Sequence, residues 1–92
     1  MIVRILTEGQ YDVADAALDQ LNQLDARVTS AIDAGDVPAF KAALASLLAG
    51  VRDAGVPHAD DDIAESDLIL PPSDATMDEV REMLADDGLI PG

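Results

Sequence analysis

His58 is the only histidine of the chain, and it opens the densest set of candidate metal ligands, followed by Asp60, Asp61, Asp62, Glu65 and Asp67. Carboxylates at this density attract hard cations such as Ca²⁺ or Mg²⁺. The alternating ligands, central glycine and terminal glutamate of an EF-hand loop are nevertheless missing. Crowded like charges repel one another and mark a solvated segment. Residues 56–66 therefore read as a polar, acidic loop, and a divalent-cation-binding regulatory protein using residues 58–67 is the alternative. Acid–base catalysis needs two groups held apart in a cleft with divergent proton affinities, and an abundance of Asp singles out no such pair. No serine sits in a nucleophile elbow or a glycine-rich phosphate loop. The residues carry no catalytic kit, so the chain reads as a non-enzyme with no cofactor.

The absence of cysteine removes disulfides, thiol catalysis and thiolate metal sites together, and suits a reducing cytoplasm. The net charge of −14 is unevenly placed. Residues 1–52 carry seven acidic groups against Arg4, Arg27, Lys41 and Arg52, whereas residues 53–92 carry twelve against Arg81 alone. Nucleic acids and anionic lipid surfaces are bound through Lys and Arg, so both are disfavoured as direct partners. The field suits a basic protein surface and would steer one toward the chain. The opening Ile2-Val3-Arg4 does not read as a signal peptide. The longest charge-free run, Ala42 to Val51, falls well short of the roughly 20 residues a membrane-spanning helix needs, so no membrane insertion is expected.

Ninety-two residues fit one domain, 1–92, whose core must be small, because a chain of this size buries only about 60 to 65% of its unfolded surface. Aromatic residues make up 2% of the chain, so Leu, Ile, Val and Ala must fill that core, with Phe40 and Tyr11 as its only large rings.

The elements that must position these residues follow from spacing. Ile2 to Leu6 and Gln10 to Val13 flank a three-residue turn, Thr7-Glu8-Gly9, in which Gly9 supplies a positive φ. This register sets Val3 against Val13, Arg4 against Asp12 and Ile5 against Tyr11, with Val3, Ile5, Tyr11 and Val13 on the core face. From Asp15 to Ala34, the residues Ala17, Leu21, Leu24, Val28 and Ala31 form one helical stripe, flanked by Leu18 and Ile32. Gly35 stops that helix and Asp36 caps the next, where Val37, Phe40, Leu44, Leu47, Leu48 and Val51 repeat the stripe. So short a connection predicts an αα-hairpin. Leu68 to Leu70 read as a third strand ended by Pro71 and Pro72, and Thr76-x-x-Glu79 is a capping box for a last short helix with Met77, Val80 and Leu84 inward. Leu89-Ile90 is expected to dock back onto the domain.

The order predicts an α+β domain: a small antiparallel sheet, made of the N-terminal hairpin and a third strand, against an αα-hairpin and a short C-terminal helix. Tyr11 reads first as a core ring and second as an interface anchor. The leucine stripes likewise read first as the domain's own core and second as a seam for a partner helix or a homo-oligomer.

Three blocks also carry a resemblance. They are Met1 to Val13, reading MIVRILTEGQYDV, the segment Leu18-x-x-Leu21-Asn22-x-Leu24-Asp25, and an end combining Asp67-Leu68-Ile69-Leu70-Pro71 with Asp87-Gly88-Leu89-Ile90-Pro91-Gly92. In order and spacing the chain resembles PspAA, the PspA-associated proteins of phage-shock membrane-stress systems. The resemblance implies a small cytoplasmic accessory whose partner is PspA, a coiled-coil, membrane-associated protein of the ESCRT-III-like group, and recruitment to the inner face of the membrane through that partner. It supplies no catalytic residues. Joined to the charge asymmetry, it makes Asp60, Asp61, Asp62, Glu65 and Tyr11 the candidate partner-binding residues.

Overall fold

The computed structural model describes residues 1–57 and 68–83. Strands β1 (Ile2–Ile5) and β2 (Gly9–Val13) form the expected antiparallel hairpin. A 3₁₀ turn over Asp15–Ala17 leads into helix α1 (Leu18–Ala34), and α2 (Val37–Ala54) follows. Strands β3 (Gly55–Pro57) and β4 (Leu68–Leu70) and helix α3 (Met77–Met83) complete the described chain. The fold is α+β, as the order of elements predicts.

The sheet departs from expectation in three ways. Its register sets Val3 opposite Tyr11, Arg4 opposite Gln10 and Ile5 opposite Gly9, two residues away from the predicted pairing. The turn closes early, through a hydrogen bond from the Glu8 N–H to the Ile5 carbonyl at 3.0 Å. That closure leaves Leu6 outside the strand and draws Gly9, at φ 137°, into it. A shift of two preserves the face of every side chain, where a shift of one would have inverted them all. Val3, Ile5 and Val13 are accordingly buried, and Tyr11 packs half-buried against them.

The second departure is β3. Val56 and Pro57 fall within the segment expected to be loop, yet they pair with β2, Asp12 opposite Val56 and Tyr11 opposite Pro57. Helix α2 runs straight into this strand at Gly55, where the chain turns beside β2. A Cβ added there would meet the Val51 carbonyl oxygen and the Tyr11 Cβ, each at 2.8 Å, so a residue without a side chain is required. The third departure is direction. Strand β4 joins β1 in parallel, Arg4 opposite Ile69, giving a mixed four-stranded sheet in the order β3-β2-β1-β4. Strand direction follows from the path of the intervening connection, and nothing in the local pattern Leu-Ile-Leu encodes it.

The helices assemble as their caps and stripes require. Gly35 adopts the left-handed conformation at φ 67°, its N–H returning to the Ile32 carbonyl, and the Asp36 carboxylate accepts from the Ala39 N–H at 3.2 Å. The Thr76 hydroxyl accepts from the Glu79 N–H while the Glu79 carboxylate accepts from the Thr76 N–H, so both halves of the capping box form. Leu21, Val28 and Ile32 of α1 meet Phe40, Leu44, Leu47, Leu48 and Val51 of α2, and this layer covers the Val3, Ile5, Val13, Leu68 and Leu70 face of the sheet. Some stripe positions differ from expectation. Ala17, Leu18 and Leu24 are half-buried, and Val37, in the first turn of α2, remains 46% exposed. Leu84 and Leu89-Ile90 lie outside the described residues.

Candidate functional site

The hairpin turn is fastened to the end of α2. Glu8 sits at the tip of the turn, and its carboxylate accepts two hydrogen bonds from Arg52, Nε to Oε1 at 2.5 Å and Nη2 to Oε2 at 2.7 Å. The Tyr11 hydroxyl donates to the same Oε1 at 3.3 Å. Such a two-point fork fixes both side chains more firmly than a single contact. The Arg52 hydrogen bonds hold the Glu8 carboxyl below its ordinary proton affinity, partial burial works against them, and the Arg52 charge and the Tyr11 hydroxyl add to the lowering. Arg52 is shifted upward by the same pairing. As a cation in the last turn of α2, it also faces the negative end of that helix's dipole. Thr7, beside Glu8, takes a left-handed conformation at φ 70°, an uncommon state for a β-branched residue. The turn is therefore held in one shape by side chains as well as by its own backbone bond.

Arg52 and Glu8 are 44 residues apart, and no local spacing announces their pairing. The sequence instead sets Arg4 against Asp12, whereas Arg4 stands opposite Gln10. The arrangement places Tyr11 with its ring against the core and its hydroxyl on Glu8. Asp60, Asp61, Asp62 and Glu65, with His58 and Asp67, lie outside the described residues. Among the described residues, no group of three or more His, Cys, Asp or Glu is placed to hold a metal ion.

A further feature that sequence reasoning missed is Asp25, which is 3% exposed in the middle of α1. Its position fits the helical period, one turn from Leu21 and just short of Val28, so the stripe passes through it. Only its type suggests exposure. Asp25 is partnered, and its backbone carbonyl also accepts from the Thr29 hydroxyl at 3.2 Å.

Open surfaces among the described residues include the following two. One is the outer face of the sheet, where Asp12 lies between Ile2 and Val56, and Arg4 between Gln10 and Ile69. Val56 is 68% exposed and Ile69 49%. The other is a cleft of about 400 Å³ between the start of α2 and the 74–78 segment, with Val37, Phe40 and Met77 as apolar lining and Lys41, Asp74 and Asp78 as its charged lining. The described residues contain neither histidine nor cysteine. The cleft's chemistry is that of a seat for an apolar group beside charge.

No helix among the described residues is long and apolar enough to cross a membrane. No curated protein and no solved structure matches the chain. A family model described as PspAA, PspA-Associated protein, does match, over residues 1–92. The match takes in the hairpin, both long helices, β4 and α3 together, and the chain belongs to the PspA-associated protein family.

Proposed function

We propose that this chain is a non-enzymatic accessory of the PspA envelope-stress system, which binds PspA in the cytoplasm and modulates its membrane-protective activity. The observation that carries the reading is the family match over all 92 residues. Physical features support it. The chain's −14 charge suits a basic protein surface and disfavours nucleic acid or anionic lipid as a direct partner. A basic amphipathic face that a coiled-coil membrane protein turns toward lipid is also a face an acidic protein can occupy, and occupancy by one excludes the other. Modulation by competition with lipid follows from that shared requirement. Asp60, Asp61, Asp62, Glu65 and Tyr11 belong to this reading as partner-binding residues, the carboxylates through charge and Tyr11 through the hairpin it braces.

The test is co-purification of the full chain with the PspA of the same organism, at low and at physiological salt. A complex retained at both, or at low salt alone, supports the reading. No complex at either salt overturns it.

A further inference from the structure

The stripe of α2 does not stop at the core. Phe40, Leu44, Leu47, Leu48 and Val51 are buried, but the series runs on to Val37, which is 46% exposed. Val37 opens into the cleft of about 400 Å³, whose wall on the other side is Met77, half-buried at the start of α3. Apolar surface thus continues from the core to solvent, with Phe40 at its inner end. A cleft of this volume lies at the small end of the roughly 300–1,000 Å³ range of binding pockets, room for one or two aliphatic side chains.

Charge says what kind of molecule brings those side chains. Asp74 and Asp78 line the cleft against the single cation Lys41. The Asp78 side chain is 92% exposed, and Glu79 and Glu82 follow on the same helix. The one cation of α3, Arg81, is engaged with Asp78 at 3.7 Å and with the Ile32 carbonyl at 3.4 Å. A second copy of the chain would bring a further −14 to this acidic surface, so charge repulsion opposes self-association there.

We propose that this cleft seats an aliphatic side chain from a basic amphipathic helix of the protein partner, with Val37 and Met77 as apolar walls and Asp74 and Asp78 pairing with Lys or Arg one turn away on that helix, Asp78 exchanging its exposed 3.7 Å contact with Arg81 for the incoming cation. An amphipathic helix presents its apolar anchors one turn apart, with cations beside them, and a short groove with a charged margin reads both. This inference rests on the proposed function and names the surface used.

Binding of the full chain to PspA is measured at physiological salt for the wild type, for Val37→Asp, for the double variant Asp74→Asn with Asp78→Asn, and for Ile69→Asp on the sheet face away from the helices. Circular dichroism and sedimentation velocity accompany each. Loss of the apolar anchor in Val37→Asp weakens binding about tenfold or more, as expected for a buried contact at the centre of an interface. The double variant weakens it and flattens its salt dependence, and Ile69→Asp stays within about twofold of the wild type, as for a surface change elsewhere. Should Val37→Asp lose its helical signal, the double variant decides alone, because its two positions are solvent-exposed. A wild type that binds, with Val37→Asp and the double variant binding equally well, overturns the cleft and leaves the proposed function standing. A wild type that does not bind removes both. A wild-type dimer that Val37→Asp dissociates identifies the occupant as a second copy and also overturns the proposal.

Discussion

Glu8 shows how much one side chain organises here. The turn it sits on contains a β-branched residue at positive φ and a glycine at φ 137°, a combination with few reasons of its own to persist. The fork to Arg52 supplies one, since it connects the turn to a helix on the opposite side of the sequence. Both groups are partly exposed, so water screens the pair, and its worth falls near the top of the range of about 0.2–1 kcal/mol found for exposed ion pairs. Glu8→Gln is therefore expected to lower stability by about 1 kcal/mol or less. Its pH dependence has a definite sign. The folded-state proton affinity of Glu8 is lowered, so its contribution is fully present above the ordinary carboxylate range and disappears as pH falls through that range and below it. Urea titrations of the wild type and Glu8→Gln at neutral pH and in acid read this directly. Convergence of the two stabilities in acid is the expected outcome, and a constant gap would assign the loss to packing of the side chain instead. Asp25 teaches the complementary lesson. Its place on the α1 stripe is legible from helical period alone, but a charged residue type argues for solvent, and only its tertiary surroundings decide in favour of burial.

At the scale of elements, local signals carried as far as local chemistry reaches. The helix-stopping Gly35, the Asp36 cap, the Thr76–Glu79 box and the two stripes are each written within one or two turns of sequence, and each forms. The face of the hairpin was legible because alternation has period two. Its register was not, because the choice between turns of similar length depends on where Gly9 and the Ile5 to Glu8 bond close the loop. Strand β3 was hidden for another reason: Gly-Val-Pro is too short and too rich in strand-breaking residues to read as strand, and it pairs because α2 delivers it beside β2. The Glu8–Arg52 fork and the cleft beside Val37 join segments far apart in the chain, so neither has a local signature. The stripes nonetheless support a graded prediction. Leu47, fully buried between helix and sheet, should lose about 2–5 kcal/mol on substitution by alanine. Leu24 is half-buried on α1, so Leu24→Ala should cost clearly less. Thermal unfolding of the two variants checks the order. Equal losses would place Leu24 in the core proper, and an unchanged Leu47→Ala would contradict the packing of α2.

For the whole molecule the dominant property is the asymmetry of charge, −11 over residues 53–92 against −3 over residues 1–52. Such a field acts at a distance, whereas the cleft beside Val37 acts only on contact, and the two leave different marks on kinetics. Long-range attraction raises the association rate and is removed by salt; contact in a desolvated groove chiefly slows dissociation. Between about 0.01 and 0.15 M salt the screening length contracts from roughly 30 to 8 Å. Association with PspA should therefore slow over that interval while dissociation changes little. Changing Asp60, Asp61 and Asp62 together to Asn should lower the association rate at low salt and flatten its salt dependence. Val37→Asp, by contrast, should accelerate dissociation. Stopped-flow mixing of the full chain with PspA separates these effects in one series of salt concentrations. An association rate indifferent to salt and to the triple substitution would confine the acidity to solubility, and recognition would then rest on short-range contacts alone.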